Sequence, residues 1–182
     1  MKGTAILRKT AISAVTAALY VSLVYAFAPI SFYSVQFRIA EALMLLPLLF
    51  PESWIGLTFG CLVANMLNPD GFVVWDVIFG TLATGLAGLV TSKMKNKLLA
   101  PLPTVIINGV IVGVVITFAY TDTAGTTVPE TLGMMFLNML TVAAGETAVC
   151  YVLGVPLVFV LEKTGLSYFI STGKKKEKRK KQ

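Results

Sequence analysis

Between Thr10 and Leu161 the chain is a succession of apolar runs, and 14 of its 15 Lys and Arg fall on one side of the membrane map those runs define. With 56% hydrophobic residues, 13% charged residues and a mean hydropathy of +0.81, a chain of 182 residues cannot cover this surface with water. It is expected to fold as an all-α integral membrane bundle. The runs fall at 11–30, 39–50, 54–67, 73–90, 104–120 and 132–161, which predicts six transmembrane helices. The second and third are shorter than the roughly 20 residues a bilayer-crossing helix needs. They must lie thin, borrow flanking residues or be shielded by neighbouring helices.

Basic residues near span ends set orientation. Lys2, Arg8 and Lys9 precede the first run, Lys93, Lys95 and Lys97 follow the fourth, and Lys163 with the basic segment 174–181 follows the sixth. Six spans bring all three clusters to one face, so both termini are expected in the cytoplasm. Residues 1–170 then form a single transmembrane domain and 171–182 a basic cytoplasmic tail. A net charge of +6 invites comparison with a nucleic-acid arm, but the excess sits mainly in this tail, where it suits anionic lipid headgroups. No nucleic-acid partner is expected. Ala26-Phe27-Ala28 imitates a signal-peptidase site, yet Pro29 would open the mature chain and loss of the first run would spoil the charge agreement, so that run is read as a true helix.

The chain has no His, and Cys61 and Cys150 are single residues inside apolar runs. Histidine-dependent metal, haem and triad chemistry are excluded, and no metal or cofactor is expected. There is no G-x-x-x-x-G-K-[ST] loop for nucleotide phosphates, so uphill transport would need a partner or an ion gradient.

A charge inside the membrane costs several kcal/mol unless it faces a partner, a cavity or water. The residues under that pressure are few. Arg38 and Glu41 open the second run from outside, Asn65 closes the third, Asp76 opens the fourth, and Asn138 and Glu146 lie in the outer half to middle of the sixth; Asn108 falls in the inner half. Arg38 and Glu41, three apart, could neutralise each other on one helix. Asp76 could be hydrated at a helix end, and the asparagines could be interhelical glue. Glu146 has no such local explanation, because Ala143-Ala144-Gly145 and Thr147-Ala148-Val149 flank it. Together these groups describe a pocket open to the exterior whose carboxylates accept from several N–H donors at once. Trp75, Phe72, Tyr33 and Phe32 could stack on a planar ligand or form an interfacial belt. A flat, cationic or guanidine-bearing solute fits this set, and Asp70, Asp122 and Glu130 in the outer segments would attract it.

On the first helix, Ala14, Ala18 and Ser22 recur every four residues and form a small-residue face. Such faces let helices approach closely, within the chain or with a separate membrane subunit.

The Ala14-x-x-x-Ala18 helix, the small size and the missing nucleotide loop make the chain resemble the substrate-binding S components of energy-coupling factor (ECF) transporters. Within that group, Ala28-Pro29-Ile30-Ser31-Phe32, Gln36-Phe37-Arg38-Ile39-Ala40-Glu41-Ala42-Leu43, Gly60-Cys61-Leu62-Val63-Ala64-Asn65 and Asp76-Val77-Ile78-Phe79-Gly80-Thr81-Leu82-Ala83-Thr84 are similar to the queuosine-precursor branch, QueT. The resemblance implies a non-enzymatic subunit in a bacterial plasma membrane. It would capture a 7-deazaguanine such as 7-aminomethyl-7-deazaguanine or queuine from outside, for ATP-driven uptake. It would dock through the first helix on a transmembrane T subunit driven by two cytoplasmic ATPases. Arg38, Glu41, Asn65, Trp75, Asp76, Asn138 and Glu146 are then the expected substrate-binding residues. An S component for riboflavin, folate or a thiamin precursor would keep the architecture and change the pocket. A small membrane enzyme of lipid metabolism would show a denser carboxylate or His motif than this chain carries.

Overall fold

The computed structural model describes residues 2–28, 37–68, 73–119 and 126–172. Phe32, Tyr33, Asp70, Phe72, Asp122 and the basic segment 174–181 lie outside them. The described residues are helical, with no strand among them. In chain order they form α1 (Lys2–Ala26), a 3-10 helix (Ile39–Leu48), α2 (Ser53–Met66), a first π segment (Asp76–Gly80) running into α3 (Thr81–Thr91), α4 (Leu102–Ala119), α5 (Val128–Val149), a second π segment (Cys150–Gly154), α6 (Val155–Lys163) and α7 (Leu166–Thr172).

Three stretches are long and apolar enough to cross a membrane: Gly3–Ala26, Leu102–Ala119 and Val128–Lys163. Ile39–Leu48, Ser53–Met66 and Asp76–Thr91 are shorter apolar helices. The protein is turned inside out relative to a water-soluble one. Ile6, Phe59, Ile106, Phe136 and Val152 are exposed, while Arg38, Glu41, Asn65, Asp76, Asn108 and Glu146 are buried. Apolar side chains outside and polar groups inside suit a solvent of hydrocarbon tails.

The 3-10 helix is the axis of the body. Every residue from Ala40 to Pro47 is buried, and the helix packs against α1, α2, α3, α6 and the second π segment. Its shortness is met by shielding and by winding: ten residues at a 3-10 rise of about 2 Å reach roughly 20 Å, where an α-helix would reach about 15 Å. Cys150 donates through Sγ to the Glu41 carbonyl at 3.5 Å, and a Cβ on Gly154 would stand 2.9 Å from the Ala42 carbonyl oxygen. The 3-10 backbone therefore touches the π segment directly.

Glycines set the other close approaches. On α2, a Cβ at Gly56 would collide with the Ser13 backbone of α1, and one at Gly60 would lie 2.9 Å from Tyr20 Cβ. On α4, a Cβ at Gly113 would lie 2.6 Å from Met139 Cα of α5. Both pairs follow the small-x-x-x-small logic of membrane helices, Gly56 with Gly60 and Gly109 with Gly113. The buried face of α1 is Thr16, Tyr20 and Val24, so Ala14, Ala18 and Ser22 point away from the chain and are exposed.

At the far end from the 126–127 turn, Lys97 pairs with Glu162 and stands 4.9 Å from the Phe159 ring centroid, and Tyr151 donates to the Leu98 carbonyl at 2.9 Å. These contacts tie the α3–α4 connection to α6. Glu130, read from sequence as an outer acid, caps α5: the Thr127 N–H donates to its Oε2 at 2.7 Å.

Gly56→Ala forces α1 off α2 and is expected to cost about 1–3 kcal/mol, a drop of several degrees in the thermal midpoint measured in detergent. Gly133→Ala on α5, where nothing lies within 4 Å of the new methyl, should leave the midpoint unchanged or slightly raised.

Candidate functional site

Arg38 precedes the 3-10 helix in extended backbone (φ −81°, ψ 98°), which projects its side chain between the ends of α2 and α3. Its Nη2 donates to Asn65 Oδ1 at 3.2 Å and to Asp76 Oδ2 at 3.4 Å. Arg38 is 6% exposed and Asp76 1%, so this ion pair is held between helices away from solvent. Asn65 closes the triangle by donating through Nδ2 to the Asp76 carbonyl at 3.0 Å. The π winding of 76–80 turns Asp76 inward, and Gly80 leaves room for it: a Cβ there would lie 2.8 Å from Asp76 Oδ1 and 3.0 Å from Asn65 Nδ2. Below the triangle, Thr84 donates to Cys61 Sγ at 3.3 Å.

Two carboxyl groups continue the cluster. The Tyr20 hydroxyl of α1 donates to Glu41 Oε1 at 2.5 Å. Asn108 of α4 donates through Nδ2 to Glu146 Oε1 at 2.8 Å, and Glu146 Oε2 lies 4.0 Å from Cys150 Sγ. Cys150 also donates to the Glu41 backbone carbonyl, so its thiol links the backbone of one glutamate to the carboxyl group of the other. Glu41 Oε2, Asp76 Oδ1 and Asn108 Oδ1 are buried without a hydrogen-bond partner among the described residues. All three are acceptors as placed.

Of the residues selected from the sequence, Arg38, Glu41, Asn65, Asp76 and Glu146 are thus brought together. Arg38 is paired with Asp76 and not with Glu41, its neighbour along the helix. Asn108, assigned to the opposite half of the membrane from the set, shares the depth of Glu146. Asn138 stands apart: it donates to Thr117 at 3.0 Å across the α4–α5 seam. Trp75 is 57% exposed and stacks on Phe79 with ring centroids 5.8 Å apart, on the apolar groove formed with Val110, Val114 and Phe118. Arg38, Glu41, Asn65, Asp76 and Glu146 are all buried. Tyr20, Cys61, Thr84 and Cys150 were not foreseen. Tyr20 sits four residues from Thr16 and from Val24, a buried stripe whose polar member was legible only as helix periodicity. Among the described residues no group of three or more His, Cys, Asp or Glu could hold a metal ion.

Among the described residues, an all-helical body with an apolar exterior and an acid-rich polar cluster held between its helices is that of a membrane protein. The chain matches the QueT transporter family model over residues 10–163, and it belongs to that family. No curated protein and no solved structure gives a match.

Removing one partner of a buried ion pair strands the other. Asp76→Ala is expected to destabilise the protein by about 3–5 kcal/mol in detergent unfolding, whereas the double variant Arg38→Met with Asp76→Ala should lose clearly less than the single one.

Proposed function

We propose that the protein is the substrate-capturing S component of an ECF-type importer. In this reading it crosses a bacterial plasma membrane six times with both termini in the cytoplasm. It binds a 7-deazaguanine precursor of queuosine from the outside and performs no chemistry on it. The observation that carries this reading is the set of buried acceptors without partners among the described residues, Glu41 Oε2, Asp76 Oδ1 and Asn108 Oδ1, the second on the carboxylate that holds Arg38 and the third on the amide that holds Glu146. An unpaired buried acceptor costs about 1–3 kcal/mol, so a ligand dense in N–H donors recovers that cost when it enters. A deazaguanine offers such donors along its base-pairing edge, and its aminomethyl form adds an ammonium.

The roles follow from reach and charge. Glu41 or Glu146 accepts from the paired N–H groups of the base edge, in the bidentate manner of a carboxylate. Arg38 serves the ligand carbonyl; Asn138, engaged with Thr117, is relieved of that role. Asp76 supports Arg38. Asn65 holds both in register. Trp75 belongs to the lipid-facing groove in this reading. Uptake of radiolabelled 7-aminomethyl-7-deazaguanine by cells carrying the chain with an ECF module should fall to background in the triple variant Glu41→Ala, Asp76→Ala, Glu146→Ala, and Asn138→Ala should stay within about threefold of the parent. Full uptake by the triple variant removes the proposed site.

Energy for uptake comes from a T subunit and two ATPases. The exposed Ala14, Ala18 and Ser22 of α1 are the proposed docking face, because no part of the described chain covers them. Ala18→Leu is expected to abolish co-purification of the T subunit while leaving ligand-induced thermal stabilisation intact. Unchanged recovery of T subunit and ATPases would reject this face.

A further inference from the structure

The cluster holds more acid than base. Arg38 is matched by Asp76 at 3.4 Å, which leaves Glu41 and Glu146 with no second cation among the described residues of the site. Both are buried, and their partners are neutral: a phenol for Glu41, and for Glu146 an amide with the Cys150 thiol 4.0 Å away. Two ionised carboxylates beside one matched ion pair would leave the interior with an uncompensated double negative charge, whose desolvation neutral donors do not offset.

The surroundings distinguish the two acids. Glu41 accepts from Tyr20 of α1, and Arg38 stands three residues before it at the start of its own helix. Glu146 meets no charged group from α4, whose sequence has none; from the second π segment it meets Cys150, whose thiol also reaches the Glu41 backbone carbonyl of the 3-10 helix, so the titratable group on that side is a second acid, while Tyr151 is engaged with Leu98. Asp76 is committed to Arg38.

We propose that Glu146 carries a proton in the unliganded protein and exchanges it for the positive charge of a cationic ligand, so that binding expels one proton while the charge of the closed site stays constant. The exchange rests on the functional reading above and deepens it. The ligand ammonium takes up the compensating role, the O–H bond at Glu146 breaks, and the proton leaves to water on the side from which the ligand came. Every charge is then conserved: one cation in, one proton out.

The test uses the full chain in detergent, titrated calorimetrically in buffers of different protonation enthalpy. For 7-aminomethyl-7-deazaguanine we expect release of about one proton and an affinity that rises about tenfold per pH unit while Glu146 is protonated. For 7-deazaguanine, which lacks the ammonium, we expect binding without release. Glu146→Gln should bind the aminomethyl compound without release, with a flat pH profile and at least tenfold more weakly. Binding of the aminomethyl compound with buffer-independent heat overturns the exchange and leaves the functional reading standing. Failure to bind either compound overturns the functional reading, and the held proton is then decided by infrared spectroscopy of the unliganded protein. A protonated-carboxyl band lost in Glu146→Gln supports the proton, and its absence overturns it.

Discussion

The Arg38–Asp76 ion pair, set among helices in a medium that offers no water, is the constraint on which the rest of the structure depends. A guanidinium at that depth is tolerable only with a carboxylate and further acceptors around it, so the ends of α2 and the first π segment must meet the start of the 3-10 helix. Tyr20 and Asn108 extend the same logic to α1 and α4, each donating to a carboxyl group that would otherwise face hydrocarbon. The polar cluster therefore orders the helices as much as their apolar packing does.

Irregular winding is concentrated where this cluster is built. The 3-10 helix carries Glu41, the first π segment opens with Asp76, and the second opens with Cys150 one turn after Glu146. A regular α-helix rotates each residue by a fixed step; a widened or tightened turn shifts that phase, and at the first π segment Asp76 is buried while Trp75 and Ile78 stay exposed. Trp75 and Asp76 illustrate it, adjacent in sequence, one exposed on the lipid groove and the other buried against Arg38.

Small residues divide into two uses. Glycines on α2 and α4 bring pairs of helices of this chain into backbone contact, whereas the alanine and serine face of α1 is turned away from every described element. The same spacing of four residues thus serves internal packing in one place and a free surface in another, and sequence periodicity does not separate them.

The sequence by itself determined that the chain is helical, that it belongs in a membrane and which polar residues are costly there, because transfer of side chains into hydrocarbon depends on residue type and run length alone. The quoted motifs also carried the family, which the match over residues 10–163 shows. Only the tertiary structure decided partnership. Arg38 goes to Asp76 and not to Glu41 three residues away, Asn108 joins Glu146, and Asn138 donates to Thr117. Tyr20, Cys61, Thr84 and Cys150 enter the cluster from positions that read as ordinary apolar helix. These outcomes depend on helix phase, on 3-10 and π winding and on which glycine admits which neighbour. Those are three-dimensional quantities, set by packing between segments far apart in the chain.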